Sequence, residues 1–153
     1  MSPAPTFELL RASDLRIHEE IDPSAVASLA ERIRAEGVVR EPIWVARGSG
    51  VILNGHHRFA ALQRLGAERI PAWVVDYTST EVVLDRWNEG PPIAKSEVVD
   101  RARSGRPFPP KTTRHTILFA LPPHPTALAE LLDGAPPGGE ARSRARAPRE
   151  AAP

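Results

Sequence analysis

Two histidines and an arginine stand side by side at residues 56–58, directly after Gly55. Residues 51–53 before them form a short apolar run typical of a buried strand, and apolar residues from Phe59 to Leu65 recur at helical spacing. The first turn of such a helix has unpaired backbone N–H groups and the positive end of the helix dipole. With His56, His57 and Arg58 added, this turn predicts an anion site, most naturally for phosphate. The alternative is a solvated first turn of the same composition.

A second polar cluster lies at residues 111–115, Lys-Thr-Thr-Arg-His, directly after Pro109 and Pro110. The two prolines favour an extended approach, so the cluster is presented from a restrained segment. Lysine, arginine and hydroxyl groups are the side chains that bind phosphates and carboxylates. The alternative is a basic turn that enters a strand.

The third cluster is His18-Glu19-Glu20, and alone it favours a solvated loop before a helix. Taken together, the three clusters suit phosphoryl transfer, which needs donors for the phosphates and a carboxylate to orient or deprotonate the acceptor hydroxyl. A divalent ion usually takes part as well. Sequence spacing does not show that the clusters meet in space.

The elements that must position these clusters follow from periodicity and from turn residues. Asp22 and Pro23 predict the start of an amphipathic helix that Gly37 ends, and the strand after the central helix contains Pro71, which places its start at a sheet edge. The other predicted elements are one or two short strands in 7–17, a hairpin of strands 42–46 and 51–53, strands 70–75 and 116–121, a helix from Ser96 to Gly105 and a short helix over 126–133. The pattern of residues 81–87 fits a strand or a helix, and the β-branched pair Val82-Val83 favours the strand.

Composition narrows the class of protein. The 153 residues are 41% hydrophobic and include no cysteine, so a globular core is expected, and disulfides, thiolate metal sites and a cysteine nucleophile are excluded. No apolar run has membrane-spanning length, and the absence of cysteine suits a cytoplasmic protein. Residues 134–153 are rich in Pro, Gly, Ala and Arg without periodicity, which predicts a disordered tail after one domain at 1–133.

The net charge of +1 is unevenly distributed. Residues 134–153 hold four arginines and two glutamates, so the rest of the chain carries a net charge of −1. A near-neutral body argues against the broad basic surface of a nucleic-acid binder.

The order of the motifs resembles a known family. His-Glu precedes the first helix, followed by Pro-Ile-x-Val, by Val-Ile-x-x-Gly-His-His-Arg-Phe-x-Ala-Leu-x-x-Leu-Gly, by an Ile-Pro strand and by Pro-Pro-Lys-Thr-Thr-Arg-His. The chain is similar to the free L-serine kinases of the ParB/sulfiredoxin superfamily over about residues 7–121. The resemblance implies an α/β (α+β) domain with a small mixed sheet and flanking helices. It also implies phosphorylation of free L-serine to O-phosphoserine with ATP or ADP and Mg.

Family roles transfer residue by residue as expectations. Glu19 matches the catalytic glutamate, with Asn54 and His57 in the catalytic turn. The residues expected to bind nucleotide are Gly55, His56, His57, Arg58, Lys111 and Thr112. The residues expected to bind serine are Trp87, Thr113, Arg114 and His115. Family members typically have aspartate where this chain has Asn54, and an amide offers neither a charged ligand nor a base, so the metal ligands stay open.

Two alternatives to a kinase follow from the same superfamily. A sulfiredoxin-like reductase needs a cysteine in the central turn, which this chain lacks. A ParB-like nucleotide-binding regulator with DNA as partner is disfavoured by the charge of the body, and partition proteins carry a helix-turn-helix domain for which little sequence follows. The partners expected are therefore nucleotide and free L-serine, with neither a membrane nor nucleic acid, and the oligomeric state is left open.

Overall fold

The computed structural model describes residues 3–132 as a mixed sheet covered on both faces. The four helices are α1 (Pro23–Glu36), α2 (His56–Arg64), α3 (Lys95–Ser104) and α4 (Leu128–Leu132). The eight strands are β1 (Thr6–Arg11), β2 (Val38–Val39), β3 (Ile43–Ala46), β4 (Ile52–Asn54), β5 (Arg69–Val75), β6 (Val82–Arg86), β7 (Thr113–Ile117) and β8 (Thr126–Ala127). The expected α/β class with a small mixed sheet and flanking helices is confirmed. The predicted tail, 134–153, lies outside the described residues.

The main sheet has the strand order β1-β5-β3-β4. Strand β5 pairs antiparallel with β1 and parallel with β3, and β3 pairs antiparallel with β4 in the predicted hairpin. Two further pairs, β2 with β8 and β6 with β7, are antiparallel. Alternating residues of β3 divide between two cores: Ile43 and Val45 face one, Trp44 and Ala46 the other. Helices α1 and α2 cover the first face, and α3 with the antiparallel pair β6–β7 covers the second.

Helix α1 forms as its sequence predicts. The Asp22 carboxylate accepts a hydrogen bond from the Ser24 backbone N–H, Pro23 occupies the first turn, and Gly37 ends the helix at φ +70°. Val26 and Ile33 lie on its buried face. This helix packs along α2, so it holds the central helix against the sheet.

Several element boundaries differ from the predictions. Strand β5 as a whole lies between β1 and β3, not at a sheet edge. Only its start, up to Pro71, pairs on one side alone, because pairing with β3 begins at Ala72. Helix α3 is capped by Ala94 rather than Ser96, and the Lys95 ammonium anchors its first turn on the Tyr77 and Ser79 carbonyls.

The last strand also begins earlier than predicted. Strand β7 starts at Thr113, inside the second polar cluster, because Thr113 pairs with Arg86 of β6. The predicted final helix is shorter, since residues 126–127 pair with β2 before α4 begins. As a result, three of the five residues of the second polar cluster belong to a strand.

Gly55 joins β4 to α2 with a backbone φ of +100°. A Cβ at this position would lie 2.6 Å from Cγ2 of the buried Ile43 and 3.1 Å from Nη1 of Arg58. The close approach of core and arginine therefore requires glycine here. Within the described residues no helix is long and apolar enough to cross a membrane.

We expect Gly55→Ala to destabilise the fold far more than Gly66→Ala. Both glycines have positive φ, but an added Cβ at Gly66 meets no atom within 4 Å. Gly66→Ala should lower the free energy of unfolding by about 1 kcal/mol through backbone strain alone. Gly55→Ala adds displacement of Ile43 and should cost about 2–4 kcal/mol. Urea unfolding measures both, and equal losses would show that the tight contact with Ile43 is unimportant.

Candidate active site

Glu19 ties the first polar cluster to the second. Its Oε2 accepts a hydrogen bond from the Lys111 backbone N–H at 3.0 Å. Its Oε1 accepts from the backbone N–H groups of Thr112 at 3.3 Å and Thr113 at 2.9 Å, and from the Thr113 hydroxyl at 2.8 Å. Three successive N–H groups around one carboxylate form an anion nest. The clusters at 18–20 and 111–115, some ninety residues apart, therefore meet at this carboxylate.

The backbone around Glu19 supports the same junction. The Phe108 N–H donates to the His18 carbonyl and the Glu20 N–H donates to the Phe108 carbonyl, each at 2.8 Å. Lys111 has φ +58°, the only positive φ at a non-glycine residue among residues 3–132. This strained turn points the N–H groups of residues 111–113 toward Glu19.

His18 ties the central turn to the same junction. Its ring is fully buried, with Nδ1 2.7 Å from the Ile52 carbonyl oxygen and Nε2 2.8 Å from the Thr113 hydroxyl oxygen. The His18 backbone N–H donates to Nε2 of His56 at 3.1 Å, and the two rings lie 4.6 Å apart, edge to face. Residues of the three sequence clusters thus form one connected polar network.

The first turn of α2 supplies the other groups. Nε2 of His57 accepts a hydrogen bond from the Asp22 N–H at 3.0 Å, which ties this turn to the start of α1. The Arg58 guanidinium makes no hydrogen bond with a described residue, although it is partly buried beside Gly55. Burial lowers the pKa of Arg58 and the Glu41 carboxylate opposes this, but an arginine stays charged at neutral pH. An uncommitted cation at a helix N-terminus is what a phosphate would pair with.

The predicted serine contacts divide between two faces of β7. Thr113 and His115 are buried, whereas Arg114 points outward, pairs with Asp85 at 3.0 Å and lies 5.0 Å over the Trp87 ring. The Trp87 side chain is 60% exposed, and its backbone N–H donates to the Thr112 carbonyl. Arg114 and Trp87 therefore border the junction from the outside.

His115 lies in the second core rather than on the surface. Its Nε2 is 2.8 Å from the Tyr77 hydroxyl oxygen, and burial lowers its pKa to about 3 while burial raises the pKa of Tyr77 above its ordinary value. Burial also lowers the pKa of His56 well below its ordinary value. The predicted role of His115 as a serine contact stays a prediction.

The remaining expected participants in the site are Asn54 and a metal ion. Asn54 is exposed at the end of β4, opposite Trp44 and directly before Gly55. Among residues 3–132 there is no group of three or more His, Cys, Asp or Glu side chains that could hold a metal ion. Magnesium commonly binds through substrate phosphates with one or two carboxylates. The described residues do not define a protein-only magnesium site.

Sequence reasoning missed the role of His18. It identified the cluster at 18–20 but could not distinguish a buried ring bonded to Thr113 from a solvated one. The only signal for a role of His18 in the sequence was its position directly before Glu19, at the end of a segment in which apolar and polar residues alternate.

Known proteins that are similar to this chain support the fold assignment. The ParB N-terminal domain family matches residues 6–87. An ATP-dependent L-serine kinase of Staphylothermus marinus is 41% identical over 83 residues, which cover 52% of this chain and 33% of that protein. The ADP-dependent L-serine kinase SerK of Thermococcus kodakarensis is 29% identical over 101 residues, covering 63% of this chain and 42% of that protein. The chain thus spans about a third of the length of the first of these relatives.

Among solved structures, a free serine kinase in complex with AMP superimposes with a TM-score of 0.73 at 18% identity, over 83% of this chain and 93% of that one. At that identity the likeness shows the fold alone. The resemblance to the serine kinases found in the sequence is confirmed. The individual site residues stay predictions.

We expect Glu19→Ala to destabilise the protein, because it leaves the N–H groups of residues 111–113 without their acceptor. The cost should be about 1–3 kcal/mol in the free energy of unfolding. Glu20→Ala is the matched control, since Glu20 is exposed and its carboxylate has no partner among the described residues. Urea unfolding compares the two variants, and an equal loss in both would show that the Glu19 carboxylate does not hold the segment.

Proposed function

The chain belongs to the ParB N-terminal domain family, and we propose that it is a small-molecule kinase that phosphorylates free L-serine to O-phospho-L-serine. The donor is ATP or ADP with magnesium, as the resemblance to the L-serine kinases implies. The observation that carries the proposal is the junction of three segments at the adjacent residues His18 and Glu19, where His18 bonds to the first turn of α2 and Glu19 bonds to residues 111–113.

In this proposal the nucleotide phosphates lie at the start of α2. Gly55, His56, His57 and Arg58 supply backbone donors and a free guanidinium at the positive end of the helix dipole. The exposed Lys111 ammonium forms no ion pair with the described residues and adds a second cation, with Thr112 beside it. Neutralising the transferred phosphoryl group is the main task of a phosphoryl-transfer site.

Serine is placed on the opposite side of Glu19. Arg114 is the natural partner for the serine carboxylate, because exposed ion pairs such as Arg114–Asp85 contribute little and exchange readily. Trp87 beside Arg114 would form the wall of the pocket. Thr113 and His115 complete the predicted serine segment from the inner face of β7.

Glu19 is proposed to take the proton. Oε2 accepts a single hydrogen bond, from Lys111, so it has a lone pair left for the serine hydroxyl. The serine O–H bond breaks as its oxygen bonds to the terminal phosphorus, and the bond from that phosphorus to the bridging oxygen breaks. The proton goes to Glu19, and the nucleotide leaves with one phosphate fewer.

A nucleotide-binding regulator without turnover is the second candidate. It is favoured by Asn54, which places an amide where the kinases typically have a carboxylate. A relative named "ParB-like protein" from Sulfolobus acidocaldarius, 40% identical over 82 residues that cover 54% of this chain and 41% of that protein, matches about as well as the kinases do.

We expect phosphorus NMR to detect O-phosphoserine when the protein is mixed with L-serine, magnesium and either ATP or ADP. Glu19→Gln retains the shape of the side chain but removes the base, so turnover should fall by about a hundredfold or more. The nucleotide affinity of this variant, measured by calorimetry, should stay close to that of the parent, which separates loss of the base from loss of the fold.

The turnover of Asn54→Asp is measured in the same assay. If the amide limits turnover, the restored carboxylate raises the rate; if the site is adapted to the amide, the rate falls. Absence of product from both donors, with nucleotide still bound, would exclude the kinase and favour the regulator.

A further inference from the structure

The Thr113 hydroxyl lies between two acceptors. Its oxygen is 2.8 Å from Oε1 of Glu19 on one side and 2.8 Å from Nε2 of His18 on the other. A hydroxyl has one hydrogen, so it can donate to only one of the two at a time. Protonation of the His18 ring removes one of these two acceptors.

The tautomer of His18 is fixed by the fold. Nδ1 lies 2.7 Å from the Ile52 carbonyl oxygen, and a carbonyl can only accept, so Nδ1 carries a hydrogen. In the neutral ring, Nε2 is therefore an acceptor, and it competes with Glu19 for the Thr113 hydrogen. In the protonated ring, Nε2 donates to the Thr113 oxygen and directs the hydroxyl hydrogen to Glu19.

The surroundings of the ring favour its neutral form at neutral pH. His18 is fully buried, and burial lowers its pKa, while the Ile52 carbonyl and the Glu19 carboxylate oppose this. The other titratable groups that face it are the ring of His56 on α2, at 4.6 Å, and that of His115 on β7, at 5.5 Å. Burial lowers the pKa of both neighbours, so neither supplies a positive charge at neutral pH.

We propose that His18 is a positioning residue that sets the basicity of Glu19 through the Thr113 hydroxyl. When the ring is neutral, the hydroxyl donates to either acceptor, so Oε1 of Glu19 lacks this donor part of the time and the carboxylate is a better base. When the ring is protonated, the hydroxyl turns to Glu19 and weakens it. The consequence for turnover rests on the proposed kinase activity, whereas the link between His18 and Thr113 does not.

The sign of the pH dependence follows. Turnover should be highest above the midpoint of His18 titration and should fall to a lower plateau below it, because the protonated ring weakens the base without removing it. In Thr113→Val, which lacks the hydroxyl, the fall should no longer coincide with the titration of His18. Thr113→Ser retains the hydroxyl and should restore the coincidence.

Nitrogen NMR of the ¹⁵N-labelled histidine rings tests the link without an assay of turnover. Thr113→Val should lower the midpoint of His18 titration, because the protonated ring loses its acceptor and charged hydrogen bonds are the stronger ones. Thr112→Val is the matched control: its hydroxyl donates to the Pro109 carbonyl, so the midpoint of His18 should not move. Glu19→Gln, a second variant, should also lower the midpoint of His18 titration, because it removes the negative charge on the other side of the Thr113 hydroxyl.

The outcomes are separable. If the midpoint of His18 shifts in Thr113→Val but the parent makes no O-phosphoserine, the link stands and the kinase proposal fails. If neither Thr113→Val nor Glu19→Gln moves the midpoint, or if the neutral ring carries its hydrogen on Nε2, the link is overturned whatever the product assay shows. If turnover in Thr113→Val still falls at the midpoint of His18, the control of Glu19 through the hydroxyl is refuted.

Discussion

The acceptance of three backbone hydrogen bonds by one carboxylate is the interaction on which the site depends. The three backbone N–H groups of residues 111–113 converge on Glu19, and such groups need a partner when they turn away from a sheet. Residues 111–113 therefore lie against residues 18–20, which precede α1. Without these hydrogen bonds, β7 would still pair with β6, but the segment that leads into β7 would not be held beside the first turn of α2.

A network of neutral histidines extends this junction inward. The His18 ring contacts the rings of both His56 and His115, and burial lowers the pKa of all three. Neutral rings can act as both donor and acceptor, so they fill the space between α2 and β7 without an uncompensated charge. The positive charge lies instead at the edge of the site, on the Arg58 guanidinium, which has no hydrogen-bond partner among the described residues. The site thus combines a tightly hydrogen-bonded interior with a cation at its edge.

Much of this arrangement could be predicted from the sequence, because local signals are strong there. Asp22, Pro23 and Gly37 defined α1, and Gly55 marked the turn into α2. What could not be predicted depends on tertiary pairing. The central place of the strand containing Pro71 follows from which strands flank it, and the start of β7 at Thr113 follows from its pairing with β6. Likewise, a buried His18 and a solvated one look the same in sequence, since burial is decided by β4 and β7.

The claim that three distant segments form one nucleotide and serine site is tested most directly by amide NMR of the ¹⁵N-labelled chain. ATP or ADP with magnesium is added first, and L-serine second. We expect the nucleotide to shift the amide resonances of Gly55–Arg58 and of Lys111, and serine then to shift those of Thr113–His115. Responses confined to residues 55–58, with 111–115 unmoved by both ligands, would contradict a shared site.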